Sequence, residues 1–206
     1  MEPDAVEIRV LGCLIEKQRT TPDAYPLSLN SLRLACNQAT NRDPLVEYDE
    51  RQIKAALERM SDRGWARLAS GASSRALKYR HLLDQALSLS TAEISLLAVL
   101  MLRGPQTLGE LKSRSERLHR FASLDEVAQT LDGLAGRELA QRLPRRAGQK
   151  EDRYLQLLGR EADGESAPET PGPVDDRAAG IEERLGRLED TVNEILARLD
   201  KVPGRE

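Results

Sequence analysis

Asp4-Ala5-Val6-Glu7 and Ser90-Thr91-Ala92-Glu93 carry one helix-start signature twice, and two further pairs repeat in the same order. In most of these stretches Ser, Thr or Asp stands three residues before Glu or Gln. This is the pattern of a capping box, in which each side chain bonds an unpaired backbone N–H at a helix N-terminus. The further pairs are Ser28–Leu32 with Thr107–Leu111, and Asp49–Ile53 with Ser123–Val127. The offset falls from 86 to 79 to 74 residues, so the first copy has twelve extra residues in its interhelix connections.

Each copy contains three predicted helices followed by a predicted β-hairpin. The helices show apolar residues at helical spacing, and the hairpin segments alternate apolar and polar residues on either side of a turn. The predicted helices are Ala5–Gln18, Leu29–Asn37, Glu50–Arg63, Thr91–Arg103, Leu108–Leu118 and Leu124–Gly136; the predicted strands are Trp65–Ala69, Ala76–Leu82, Leu139–Leu143 and Arg153–Leu157. This is the plan of a winged helix-turn-helix. We therefore predict a mainly α fold with small β-hairpins, as tandem winged-helix domains at residues 1–86 and 87–158.

The apolar faces of the predicted helices give the candidate core. Thr91–Arg103 is apolar nearly all round, which indicates burial on more than one side, against the other domain or another subunit. The other predicted inward residues are Val10, Leu11, Leu14 and Ile15 in the first helix, Ile53, Leu57 and Met60 in the third, and Val127, Leu131 and Leu134 in the last.

Composition narrows the possible sites. Aromatic residues make up only 3% of the 206 residues, which speaks against a platform on which single-stranded bases stack. Cys13 and Cys36 lie in predicted helix interiors and are interpreted as small buried hydrophobes. A zinc site formed with His81 and His119 is the alternative, although no pair has the short spacing of zinc ligands.

No enzymatic motif is recognisable. The chain has no Gly-rich phosphate loop, no His/Glu zinc motif and no nucleophile elbow, and His81 is expected to be a surface or rim histidine. The longest apolar run, Ile94–Leu102, is too short to cross a membrane, and no signal peptide is present. We therefore predict a non-catalytic cytoplasmic protein with no cofactor, no bound metal and no membrane partner.

The net charge of −3 hides a division of the chain. Residues 1–158 carry 24 Lys/Arg and 21 Asp/Glu, whereas residues 159–206 carry 7 and 13. The globular part is therefore mildly basic and the tail is acidic. Residues 159–180 are rich in Gly, Pro, Ala, Ser and acid, which predicts a flexible linker.

The last segment, residues 181–202, has the heptad pattern of a coiled coil. With Leu185 and Val192 at position a, Arg184 at g would face Glu189 at e of a parallel partner. We predict self-association to a homo-oligomer of undetermined stoichiometry; the alternative is an amphipathic helix that folds back onto the core. The predicted interface residues are Ile181, Leu185, Leu188, Val192, Ile195 and Leu199, with Val202 continuing the spacing.

The first copy has the charges that a winged helix needs to bind duplex DNA, with its third helix in the major groove and its hairpin on phosphates. Residues 63–83 contain no acidic residue. The third helix adds Arg51, Lys54 and Arg59, although its own acidic residues could cancel them, which would leave an ordinary solvated hairpin. The candidate DNA-binding residues of the helix and hairpin are Arg51, Lys54, Arg67, Arg75, Lys78 and Arg80.

The connection between the second and third helices supplies further candidates. Asn37, Gln38, Asn41 and Arg42 could offer hydrogen-bonding groups to bases or backbone. Alternatively, these residues cap a helix and build a turn, as Asn and Asp before Pro commonly do.

The second copy is less suited to DNA. Its third helix carries Asp125, Glu126 and Asp132, which phosphate would repel. Its hairpin still carries basic residues, among them Arg142 and Arg145, so contact with the DNA backbone remains open. We expect this copy to pack against protein.

Several strings resemble the bacterial YceH family over residues from about 5 to 158. They are Leu11–Gln18, Thr21–Asp23, Tyr25–Asn30, Ala35–Gln38, Asn41–Pro44, Ser74-Arg75, Lys78-Tyr79 with His81, and Leu100–Thr107 with Gly109–Leu111. The resemblance implies a tandem winged-helix fold. It implies no catalytic residues, and it leaves the linker and the heptad segment uncovered.

The sequence thus predicts a protein that binds duplex DNA through its first domain, with the second domain and the heptads serving assembly. The alternative is a non-catalytic scaffold whose winged helices dock onto protein partners.

Overall fold

The computed structural model describes residues 2–69, 77–145, 150–159 and 186–195, which are mainly helical with two small antiparallel sheets. The helices are α1 (Ala5–Thr20), α2 (Leu29–Cys36), α3 (Glu50–Asp62), α4 (Leu83–Ala86), α5 (Thr91–Arg103), α6 (Leu108–Arg114) and α7 (Leu124–Gly136), with a 3-10 helix at Pro22–Ala24. The strands are β1 (Leu27–Ser28), β2 (Ala66–Leu68), β3 (Lys78–His81), β4 (Ala140–Leu143) and β5 (Arg153–Gln156). Residues 186–195 form a further stretch of helix, the C-terminal helix.

All six predicted helix starts are confirmed, because each predicted cap side chain accepts a hydrogen bond from the backbone N–H three residues on. Reciprocal capping boxes form at four of them, where a Glu or Gln side chain also accepts from the cap residue's own N–H. The caps are Asp4, Ser28, Asp49, Ser90, Thr107 and Ser123, and the four boxes start at Asp4, Asp49, Ser90 and Thr107.

Both halves have the same order of elements. In the first half β1 pairs with β3, and β3 pairs with β2, so the sheet order is β1-β3-β2. In the second half β4 pairs with β5, and Gln106, just before α6, forms a bridge with Tyr154. Each half is therefore a helix, a short extended segment, two helices and a hairpin, with the extended segment paired to the last strand.

The helix and strand bounds agree with the prediction to within a few residues, with one larger difference. The helix after Thr107 ends at Arg114, not at Leu118. The sequence also gave no sign of α4, of β1 or of the 3-10 helix. These elements contain two to four residues each, too few to show a periodic pattern.

The apolar core runs through both halves without a break. The predicted inward residues are buried, and α5 packs along α1, which confirms the expectation that α5 is enclosed on several sides. The contact is close at Gly12, where a Cβ would lie 2.9 Å from Leu102 Cγ. As a result α1 is buried nearly all round, including the charged residues Glu7, Arg9 and Lys17 that its predicted single apolar face did not include.

Within the described ranges, none of the helices combines the length and apolarity that a membrane span requires.

Candidate nucleic-acid interface

The hairpin of the first half places two arginines directly opposite each other. The register pairs Arg67 of β2 with Arg80 of β3, so both side chains leave the same face of the sheet. Among the described residues, neither arginine has a carboxylate within ion-pair distance, and Arg80 Nε is buried without a hydrogen-bond partner. Like charges opposed across two strands repel each other, so this face of the hairpin has an uncompensated positive charge.

A groove between α3 and this hairpin extends the cationic surface. It has a volume of about 130 Å³ and is lined by Lys54, Leu57, Glu58, Ser61, Arg67 and Tyr79. Lys54 Nζ lies 4.0 Å from Glu58 Oε1, and both side chains are exposed. Such exposed pairs contribute little free energy, so Lys54 can turn towards an anion at small cost. One turn earlier on α3, the exposed Arg51 forms no ion pair with the described residues.

Two other basic residues near α3 have structural roles. Arg59 Nη2 lies 2.5 Å from Asp4 Oδ2, and Arg59 Nε lies 3.0 Å from Glu7 Oε2. Arg63 Nε lies 3.5 Å from the other oxygen of Glu7, and its guanidinium covers the ring of Trp65. These contacts fasten α3 and the start of the hairpin to the N-terminus of α1, and they leave less of the two charges for a ligand.

The connection between α2 and α3 turns its candidate side chains inwards. Asn37 Nδ2 donates to the carbonyl of Tyr48, and Tyr48 N–H donates to Asn37 Oδ1, both at 2.9 Å. Asn41 has a φ of 59° and its Oδ1 accepts from Arg103. The structure therefore favours the turn-building interpretation of Asn37 and Asn41 over a contact with bases.

Arg42 is the centre of this connection and is not available to DNA. Its guanidinium is fully enclosed: Nη2 lies 2.6 Å from Glu16 Oε2 and donates to Gln38 Oε1 at 2.7 Å, and Nε donates to the Ala35 carbonyl at 3.0 Å. Burial alone would raise the pKa of Glu16, but the charges of Arg42 and Lys17 outweigh it and hold that pKa at about 2. Gln38 and Arg42, both proposed from sequence as DNA ligands, are therefore buried parts of the fold.

The second hairpin carries two arginines that share one internal counter-ion. Arg142 Nε donates to Asp152 Oδ2 at 2.9 Å, and Arg145 Nε donates to Asp152 Oδ1 at 3.1 Å. The hydrogen bond from Arg142 lowers the pKa of Asp152, so the carboxylate stays charged. Asp152 thus offsets one of the two positive charges of Arg142 and Arg145.

The remaining candidates are placed as follows. Lys78 lies on β3 beside Arg80, and Arg75 lies outside the described residues. Of the sequence-predicted set, the groove brings Lys54 and Arg67 together, and the register places Arg67 opposite Arg80. Lys78 lies on the same strand as Arg80, and Arg51 lies one turn before Lys54 on α3. Sequence reasoning missed the direct opposition of Arg67 and Arg80 because it depends on strand register, which a turn of unknown geometry does not reveal.

His81 is buried, which corrects the expectation of a surface histidine. It is 1% exposed, its Nε2 lies 2.7 Å from Gln18 Oε1, and its backbone N–H donates to the Tyr25 hydroxyl at 2.9 Å. Burial lowers the pKa of His81 to about 4, so the ring is neutral at pH 7. His81 therefore helps to hold β3 against α1 and is not exposed to a ligand.

The two cysteines are free and buried, as expected of small apolar residues. Cys13 Sγ donates to the Ala35 carbonyl at 3.4 Å, which ties α1 to the end of α2. Within the part of the chain that the structure describes, no group of three or more His, Cys, Asp or Glu side chains could hold a metal ion.

Comparison of the sequence with known proteins shows the family of this chain. Residues 4–149 match the family described as protein of unknown function, DUF480. A UPF0502 protein of Stenotrophomonas maltophilia is 46% identical over 206 residues, covering 98% of this chain and 94% of its own length. A UPF0502 protein of Pseudomonas aeruginosa is 50% identical over 175 residues (85% and 78%), and one of Azotobacter vinelandii is 47% identical over 189 residues (90% and 82%).

These matches confirm the family-level resemblance drawn from the sequence strings. The Stenotrophomonas alignment also extends it, because coverage of 98% includes most of the acidic segment and the heptads that the strings left uncovered. The chain belongs to the DUF480 family, whose relatives described above carry the name UPF0502.

Proposed function

We propose that the two halves are winged helix-turn-helix domains and that the first of them binds duplex DNA. The shared order of elements supports the first part, because a short extended segment before the second helix pairs with the last strand of the hairpin in both halves, as a strand in the first and as a single bridge in the second. In this arrangement α3 is the helix that enters the major groove, and the β2–β3 hairpin is the wing. In this proposal the protein binds DNA in the cytoplasm, catalyses no reaction and acts as an oligomer.

The observation that carries this proposal is the opposition of Arg67 and Arg80 on the wing. A fold that places two arginines side by side without a counter-ion loses stability to their repulsion. A phosphate oxygen between them would remove that repulsion and replace it with two charge-assisted hydrogen bonds. Duplex DNA offers such phosphates at regular spacing along the groove that α3 would enter.

The alternative, docking onto a protein partner, is favoured for the second half alone. Its α7 exposes Leu124, Asp125 and Asp132, and its hairpin arginines are paired with Asp152. An acidic helix with an exposed leucine at its first turn suits a protein surface better than a phosphate backbone. In this view DNA binding belongs to the first half and protein contact to the second.

The test is a salt titration of binding to random-sequence duplex, measured by fluorescence anisotropy with the full chain between about 50 and 200 mM salt. Wild type should lose affinity steeply as salt rises. The double variant Arg67→Ala/Arg80→Ala should bind more weakly, and the slope of log K against log salt should fall by about 1, since the two arginines share one phosphate and each phosphate contact contributes about 0.9.

The matched control is Arg142→Ala/Arg145→Ala, which removes the same charge from the second hairpin. We expect a smaller change in slope, because Asp152 already offsets part of the charge of these residues. No binding of the wild type at low salt would refute DNA binding. Equal losses from the two double variants would refute the assignment to the first wing.

A further inference from the structure

The C-terminal helix rests on the rest of the protein through its polar side. Asp190 joins both halves, since its Oδ1 accepts from Lys17 Nζ of α1 and its Oδ2 accepts from Arg117 Nη2 at 2.9 Å. Glu189 accepts from the Thr40 hydroxyl. The backbone approaches closely at Gly186, where a Cβ would lie 2.6 Å from Asn41 Nδ2. The helix therefore has a defined orientation on the surface.

Its apolar side chains point away from that surface. Leu188, Val192 and Ile195 are 62%, 53% and 51% exposed, and their spacing of four and three residues places them on one face of the helix. An amphipathic helix that folds back onto its own core buries this face and exposes its polar one. Here the polar face meets the protein and the apolar face is exposed. The helix therefore lies against the core, as the fold-back alternative predicted, but it does not bury its apolar face there.

The heptad phase explains this orientation. With Val192 at a, the exposed Leu188 and Ile195 occupy d, and Asp190 occupies f, the position farthest from a coiled-coil seam. The side chain at f faces the protein body, and those at a and d face solvent. The sequence continues the same phase on both sides, outside the described residues, at Ile181, Leu185, Leu199 and Val202.

We infer that the exposed Leu188, Val192 and Ile195 stripe is the surface through which the protein pairs with a second copy of itself, helix parallel to helix. This inference builds on the oligomer of the proposed function and assigns its interface. It does not depend on DNA binding.

Charge favours a second copy over other occupants. Glu189 occupies position e, and one of its oxygens accepts from Thr40. By the heptad pattern of the sequence, a parallel partner would set opposite it the g position of Arg184, which lies outside the described residues. A membrane surface fits poorly, because the described helix has one basic residue, Arg187, against Glu189, Asp190 and Glu194. Helices that lie on anionic membranes carry an excess of Lys and Arg on their polar face.

Pairing through this stripe has a geometric result. Because Asp190 is held by Lys17 from the first half and Arg117 from the second, the paired helices carry both halves of each copy in a fixed relation. A dimer built in this way presents two cationic wings from a single particle.

The first experiment measures the mass of the full chain by sedimentation equilibrium. Wild type should have at least twice the 22.9 kDa of one chain, whereas Leu188→Glu/Ile195→Glu should sediment as a monomer. Both substitutions are at exposed positions, and unfolding temperatures followed by circular dichroism show whether the fold is kept. The control is Leu45→Glu, which introduces the same change at a residue that is 66% exposed in the α2–α3 connection and should keep the wild-type mass.

A monomeric wild type, or an unchanged mass in the double variant, would overturn the inference whether or not DNA is bound. Loss of DNA binding in a chain that keeps its dimeric mass would instead count against the proposed function alone.

The second experiment tests the parallel orientation. Val192→Cys places one thiol at an a position, where equivalent residues of a parallel pair face each other. Mild oxidation should give a disulfide-linked dimer on a non-reducing gel, with little background because Cys13 and Cys36 are fully buried. A dimeric variant that forms no cross-link would rule out the parallel arrangement.

Discussion

The two hairpins of this protein occupy the same place in the same order of elements, yet their arginines differ in how they are paired. Among the described residues, two arginines of the second hairpin share a carboxylate, and the two opposed arginines of the first have none. Ala66 of the first pairs with His81, and Ala140 of the second pairs with Gln156, which fixes the correspondence between them. In that alignment the positions of Arg67 and Arg80 are taken in the second hairpin by Gln141 and Leu155.

The two hairpins therefore differ in whether they contain an acidic counter-ion, as well as in their number of basic residues. The second hairpin carries its counter-ion, Asp152, immediately before β5. The first hairpin has no acidic residue from Arg63 to Leu83 and leaves Arg67 and Arg80 opposed. Two arginines that share a carboxylate gain less free energy from an added anion than two opposed arginines that have none.

The largest expected effect tests a second difference, the long α2–α3 connection found only in the first half. Arg42→Ala removes the partner of a buried carboxylate, Glu16, so we expect the free energy of unfolding to fall by about 3–5 kcal/mol. Urea denaturation followed by circular dichroism measures it. Arg51→Ala, at an exposed arginine on α3, should change stability by less than about 0.5 kcal/mol. A comparable loss in both variants would mean that the connection is not fastened by Arg42.

The same ion pair predicts how stability depends on pH. The pKa of Glu16 is about 2 in the folded protein, below its value in the unfolded chain. Its stabilising contribution is therefore complete above the unfolded pKa and is lost as pH falls towards 2. The contribution is on the order of 3 kcal/mol. Glu16→Gln should flatten the acid side of a plot of unfolding free energy against pH; an unchanged acid limb would exclude this assignment.

A third prediction reverses the difference between the hairpins. Asp152→Asn releases Arg142 and Arg145, so the second hairpin should become more cationic. We expect tighter binding to random duplex and a salt slope that is steeper by about 1–2. Asp125→Asn on α7 makes the same change of net charge away from the hairpin. If both variants bind equally well, net charge alone is responsible and the local pairing is irrelevant.

The smallest effect concerns the glycines of α7. A Cβ at Gly133 would meet nothing within 4 Å, whereas one at Gly12 of α1 would press against Leu102 and Met101. Gly133→Ala should raise the free energy of unfolding by about 0.5–1 kcal/mol, because alanine favours the helix. Gly12→Ala should lower the free energy of unfolding, because there is no room for a methyl group between α1 and α5. Thermal unfolding of the two variants distinguishes these signs, and stabilisation by both would contradict the close α1–α5 contact.

The features that could be predicted from sequence are local ones. A cap and its reciprocal Glu or Gln lie three residues apart, so Asp4, Ser90 and the other caps could be identified without knowledge of the fold. The burial of α5 followed from its composition. Strand register and buried ion pairs join residues far apart in the chain, so the roles of Arg42 with Glu16 and of Asp152 with Arg142 could not be derived. From sequence, Arg42 was a candidate DNA-binding residue, because nothing near it in the chain indicates a pair with Glu16.

The heptad segment shows the same limit from the other side. Its phase was predicted and agrees with the exposure of Leu188, Val192 and Ile195. Which side of the helix meets the body could not be predicted, because Lys17 and Arg117 come together at Asp190 only after both halves have folded.

The contact of α1 with α5 joins the two halves through one apolar core. Because α1 packs on its own half on one side and on α5 of the other half on the opposite side, parting the halves would expose apolar surface of both helices to water. We therefore expect the two hairpins to keep a nearly constant separation. A partner that contacts both hairpins must have binding groups at that separation. A partner without them can contact only one hairpin.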